Sequence, residues 1–163
     1  MEKKCCFTGH RPQKMPWGYN EKNDKCVQYK NLIEKTILDL YQQGYKYFIS
    51  GVAQGFDTYC AEIVLKIKKL HPEVKLECAL PCKNQEKMWS PVSQQRYHNI
   101  LNSADKTTLI SEEYTPYCMS QRNRYMVDNS ETVIAGFDCI EGGTANTINY
   151  ANKKGKQVIT LWL

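Results

Sequence analysis

The residues in this chain best suited to chemistry fall in four short stretches. "EGGT" (Glu141 to Thr144) sets Gly142 and Gly143 directly before a helical run. Unpaired N–H groups at a helix start, in the positive end of the helix dipole, suit a phosphate. Thr144 can cap that helix or donate to the anion; the plain alternative is a glycine-rich turn with a threonine cap. "TGHR" (Thr8 to Arg11) offers Gly9 for close backbone approach and Arg11 for a phosphate, or is a simple turn with His10 and Arg11 on the surface. "SGVAQGFD" places Ser50, Gly51 and Gly55 around a tight turn, with Asp57 as a helix N-cap that can also touch a ribose hydroxyl. It lacks the three spaced glycines of the dinucleotide fingerprint. "RNR" (Arg122 to Arg124) cannot put both arginines on one helical face, so one reaches a crevice or both are surface charges. Trp89, with Gln85, Arg96 and Tyr97, makes either a lid that stacks on a base or an apolar cluster beneath a loop.

The elements that must position these residues alternate. Short apolar strands are predicted at "KKCCFTG", "YKYFIS", "VKLECALP", "KTTLIS", "ETVIAGF" and "KQVITLWL". Helical runs separate nearly all of them, for example "CVQYKNLIEKTILDLYQQG", "DTYCAEIVLKIKKL" and "SPVSQQRYHNILNSA". Such alternation predicts an α/β fold: one Rossmann-like, doubly wound, mainly parallel sheet with helices on both faces, spanning residues 1–163 as a single domain. In that architecture ligands bind beyond the C-terminal ends of the strands. All the clusters above fall on that edge. Two long irregular segments, "GHRPQKMPWGYNEKNDK" and "PCKNQEKMWSP", also emerge there.

The bulk numbers narrow the partners. With 163 residues the chain is sized for one core. A net charge of +5 is modest and argues against nucleic acid. No run approaches the roughly 18 apolar residues of a membrane span, and the start has no signal-peptide pattern, so a cytoplasmic protein is expected. The 8 cysteines include no Cys-x-x-Cys and the 3 histidines are far apart, so no metal site is expected and most thiols should be core residues.

In order, TGHR, SGVAQGFDTYCAE, P-x-x-x-Q-x-x-x-W, RN-x-x-MVD and EGGT resemble the YpsA-type SLOG family over nearly the whole chain. That Rossmann-like superfamily also holds the LOG phosphoribohydrolases and the DprA proteins. The resemblance implies a binder or sensor of a nucleotide or nucleotide derivative such as ADP-ribose or an NAD-related compound, with no required cofactor and a homodimeric state. It carries Gly9, Arg11, Ser50, Gly51, Gly55, Asp57, Gln85, Trp89, Arg122, Asn123, Gly142, Gly143 and Thr144 over as ligand-lining candidates. The base would stack on Trp17, Tyr19 or Trp89. A departure weighs against LOG-like N-glycoside cleavage: the glutamate that LOG enzymes place after the glycine-threonine step is replaced here by Ala145, Asn146 and Thr147. Asp57, Asp138 and Glu141 are the carboxylates left nearby to substitute for it. The third alternative, DprA-like single-stranded DNA binding, rests on the shared core motifs.

Overall fold

The computed structural model describes residues 2–163. Its six strands are β1 (Lys3–Gly9), β2 (Tyr45–Ser50), β3 (Lys75–Leu80), β4 (Lys106–Leu109), β5 (Thr132–Phe137) and β6 (Gln157–Trp162). Between them run α1 (Asp24–Gln42), α2 (Phe56–Leu70), α3 (Pro91–Ser103), α4 (Cys118–Asp128) and α5 (Gly143–Lys153). The strands form one sheet in the order β4-β3-β2-β1-β5-β6, and every pairing is parallel. This is the Rossmann-like, doubly wound α/β architecture that the alternation predicts.

Chain order explains the two layers. From β1 to β4 the chain steps outward in one direction, and right-handed crossovers put α1, α2 and α3 on one face. It then returns across the sheet to β5 beside β1, which sends α4 and α5 to the other. Period-two alternation divides the strands accordingly. Cys5, Phe7 and Phe48 join Ile33, Ile37, Val64 and Ile100 in the larger core. Cys6, Ile49 and Val133 face Met126, Val127 and Ala151 in the smaller one. Seven of the cysteines are buried and Cys139 is exposed, as expected of thiols used mainly as small apolar side chains.

The reversal of direction lies between β1 and β5. There the two strands deliver their following segments to opposite faces, leaving a crevice beyond their C-terminal ends. Among the described residues, no helix is long and apolar enough to cross a membrane.

Candidate functional site

The turn after β1 is clamped by the start of α2. Phe56 N–H donates to the His10 carbonyl (3.1 Å), and Gly55 adopts φ +90. A Cβ on Gly55 would lie 2.6 Å from the His10 carbonyl oxygen, so the two loops touch backbone to backbone. Gly9 is likewise filled from within, because the Phe56 ring occupies the space its side chain would take. Asp57 does not cap α2 as predicted. Gly55 occupies the cap position, because its carbonyl accepts the first helical bond from Tyr59 N–H (3.0 Å), and Asp57 is the second residue of the helix.

Asp57 is instead part of a buried polar knot. Its carboxylate accepts from Ala53 N–H (3.3 Å). The Ser50 hydroxyl donates to the Asp57 carbonyl (2.9 Å) and accepts from Val52 N–H (3.1 Å). Arg122 enters from α4 and donates through Nη1 to the carbonyls of Gly51 (2.8 Å) and Ala79 (3.3 Å). A Cβ at position 51 would stand 2.6 Å from the guanidinium carbon. Burial raises the Asp57 pKa, with the charges of Arg122 and Arg11 working against that shift. Burial lowers that of Arg122, with Asp57 opposing. Arg124, the other arginine of the motif, is exposed and lies over the Tyr150 ring, 5.1 Å from its centroid. The two arginines therefore separate into a buried one and a surface one, as helical spacing requires.

The turn before α5 differs. Gly142 caps the helix with φ +149. The first helical amide to find a carbonyl is Asn146, on Gly142 (2.9 Å). The N–H groups of Gly143, Thr144 and Ala145 thus belong to the open first turn. A Cβ at Gly143 would meet nothing within 4 Å, and one at Gly142 would come 3.2 Å from Lys14 Nζ. Thr144 does not cap the helix; its hydroxyl stands 3.5 Å from His10 Nδ1. On the other side of the imidazole, Nε2 lies 2.7 Å from Asp138 Oδ1. Partial burial opposes ionisation of Asp138, but the N–H of Ile140 and the His10 ring outweigh it and hold the carboxyl below its usual range.

A crevice of about 320 Å³ opens at this point. It is lined by Gly9, Arg11, Asp57, Arg122, Asn123, Gly143 and Thr144 from the predicted set, together with His10 and Lys14. A second hollow of about 320 Å³ shares Arg11, Gln13, Ala53 and Met119 with it and adds Tyr19, Gln85 and Trp89. A third, of about 280 Å³, shares Met119, Asn123 and Gly143 and extends to Arg124, Asn146 and Tyr150. Ser50, Gly51 and Gly55 form the packed wall behind, and Glu141 is exposed on the approach to α5. Trp17 is not available for stacking: its indole N–H donates to Tyr59 (3.0 Å) inside the core. Trp89 packs edge-on against Tyr97, whose hydroxyl receives Gln85 Nε2 (3.3 Å).

The sequence-based set omits His10 and Lys14. Lys14 follows Arg11 by one short 3-10 turn, Pro12–Lys14. A proline-led turn that brings a second cation back to the same edge was a usable signal. Burial of His10 was not, because it depends on Asp138, 128 residues away.

The family model YpsA, the YspA SLOG family, matches residues 5–160. The chain belongs to that family. Among relatives of this SLOG chain, the uncharacterized SPbeta prophage-derived protein YoqJ of Bacillus subtilis is 35% identical over 145 residues, covering 81% of this chain and 85% of the relative. The UPF0398 protein YpsA of the same organism is 24% identical over 159 residues, with 95% and 87% covered. Among solved structures, DNA processing protein A (DprA) from Streptococcus pneumoniae superposes with a TM-score of 0.65 at 17% identity, covering 98% of this chain and 50% of that one. DprA from Helicobacter pylori, solved to explain its single-stranded DNA binding mode, gives 0.66 at 17%, with 97% and 64% covered. The present chain thus spans about half to two thirds of those DprA chains and shares their fold.

Proposed function

We propose that this SLOG protein binds a nucleotide or nucleotide derivative in the crevice between β1 and β5. The observation that carries the reading is the open glycine step at Gly142–Gly143, with Lys14 Nζ beside it and the exposed Arg11 on the facing loop. Phosphate oxygens placed there meet the free N–H groups of the first turn of α5 and one or two exposed cations. The hollow lined by Tyr19, Gln85 and Trp89 then takes the base, because an aromatic face and amides suit a flat heterocycle with polar edges. Arg122 acts from behind, by holding the β2–α2 loop, and does not clamp phosphate directly.

The test is a thermal-shift panel of adenine and guanine nucleotides, ADP-ribose, NAD and NADP. A ligand at about 100 times its Kd adds about 2.7 kcal/mol, worth roughly 5–10 °C in a domain of this size. A shift with one compound, absent in Gly143→Glu, supports the cradle. An equal shift in that variant defeats it. A second reading, single-stranded DNA along the same edge, draws on the fold shared with DprA and on the exposed Tyr19, Tyr114 and Tyr117. It requires an oligonucleotide gel shift that weakens steeply with salt.

A further inference from the structure

We propose that His10, Asp138 and Thr144 form a hydrolytic relay that cleaves a phosphate ester whose phosphate sits at the start of α5. The proposal rests on the phosphate cradle inferred above and adds chemistry to it. These residues come from the loop after β1, the loop after β5 and the first turn of α5, and they meet at the crevice wall.

The burial of His10 is unusual for a turn residue: it is 4% exposed, packed against Phe137, yet lines the crevice. Ionised Asp138 only accepts, so the 2.7 Å contact places the imidazole proton on Nε2. In the neutral imidazole Nδ1 then keeps its lone pair. The hydroxyl of Thr144, 3.5 Å away, is the polar group it faces, and that hydroxyl is not spent on capping its own helix. Such a separation is ordinary for a nucleophile–base pair before substrate tightens it.

The steps balance without an outside oxidant or cofactor. Thr144 Oγ attacks phosphorus as His10 Nδ1 takes its proton. The bond from phosphorus to the ester oxygen breaks, and the imidazolium returns the proton to that leaving oxygen. Water then attacks the phosphothreonine, Nδ1 takes a water proton, the P–Oγ bond breaks, and the proton goes to Oγ. An alcohol and, from a monoester, inorganic phosphate are released. Charge on the equatorial oxygens meets the α5 N–H groups and Lys14. Thr144 and His10 are the catalytic residues. Asp138 is a positioning residue that fixes the tautomer and supports the imidazolium.

The experiment incubates the full chain at high concentration with p-nitrophenyl phosphate and with a series of nucleoside monophosphates. It follows phosphate release and the intact mass, and runs the nucleotide thermal-shift panel in parallel. The expected result is release by the wild type, lost about 100-fold or more in His10→Ala. Thr144→Val should be inactive, whereas Thr144→Ser should keep activity and show a transient gain of one phosphoryl group. Asp138→Asn should lower kcat with little change in KM. A wild type that shifts with a nucleotide but releases no phosphate and never gains a phosphoryl group overturns the relay and leaves the cradle standing. Neither shift nor release overturns both. Full turnover in Thr144→Val overturns the relay by itself.

Discussion

Two glycine-rich turns stand at the same edge of the sheet and use their glycines in opposite ways. In the β2–α2 turn, Gly51 and Gly55 are filled from inside, one by the Arg122 guanidinium and the other by the His10 backbone. In the β5–α5 turn, Gly143 faces open space and Gly142 faces the end of a lysine side chain. Glycine before a helix therefore has two meanings. It lets protein approach protein, or it lets something else approach protein. The first turn builds the wall of the crevice and the second leaves its floor bare.

The largest expected effect breaks the wall. Gly55→Ala forces a Cβ onto the His10 carbonyl at a φ of +90. Strain at such a φ and overpacking each cost about 1–3 kcal/mol. A loss of roughly 3 kcal/mol or more should appear in urea denaturation as a lower midpoint with an unchanged slope. A variant as stable as the wild type would mean the two loops separate freely.

Gly143→Glu should do the reverse. Its stability should stay within about 0.5 kcal/mol, as at other open surface positions. Nucleotide affinity should fall roughly 100-fold, since the new carboxylate occupies the cradle and opposes phosphate. Calorimetric titration with whichever nucleotide shifts the wild type would read it. Comparable losses of stability in the two glycine variants would erase the distinction between the turns.

How much of this was legible depends on the distance over which each fact is decided. The strands and helices follow local periodicity, and the structure keeps them with shifts of a residue or two. The start of α2 moved from Asp57 to Gly55 because its first amide is claimed by His10, 46 residues earlier in sequence. The meaning of each glycine was not local either. Nothing in "SGVAQGFD" says that a guanidinium 71 residues on will fill Gly51, and nothing in "EGGT" says that no side chain will fill Gly143. Arg122 shows the same limit. Its place in "RNR" made it a ligand-lining candidate, and it does line the crevice, but nothing local says that two backbone carbonyls inside the knot also hold it.

Lys14→Ala sharpens the comparison on the open side. The side chain is exposed and close to Gly142. Its removal should leave stability unchanged to about 0.5 kcal/mol and weaken nucleotide binding about tenfold, with a shallower salt dependence. An undiminished affinity would hand the cationic role to Arg11.

The smallest effect concerns how the loop bearing Arg11 and Lys14 is held from behind. Glu21, at the far end of that segment, is bridged by Arg96 of α3 (2.6 and 2.8 Å) and by Lys30 of α1 (2.7 Å), while Arg96 also grips Glu62 of α2. Partial burial works against the Glu21 carboxylate, but Arg96 and Lys30 outweigh it and hold its pKa below the usual 4.5. A depressed carboxyl pKa contributes stability that is fully present above its unfolded value and is lost as pH falls through the folded one. Glu21→Gln should therefore cost about 1 kcal/mol near neutral pH, and the gap from wild type should close progressively below the ordinary glutamate range. Chemical denaturation at several pH values gives the curve. A gap that stays constant into acid would assign the loss to packing of the loop and not to the charge network.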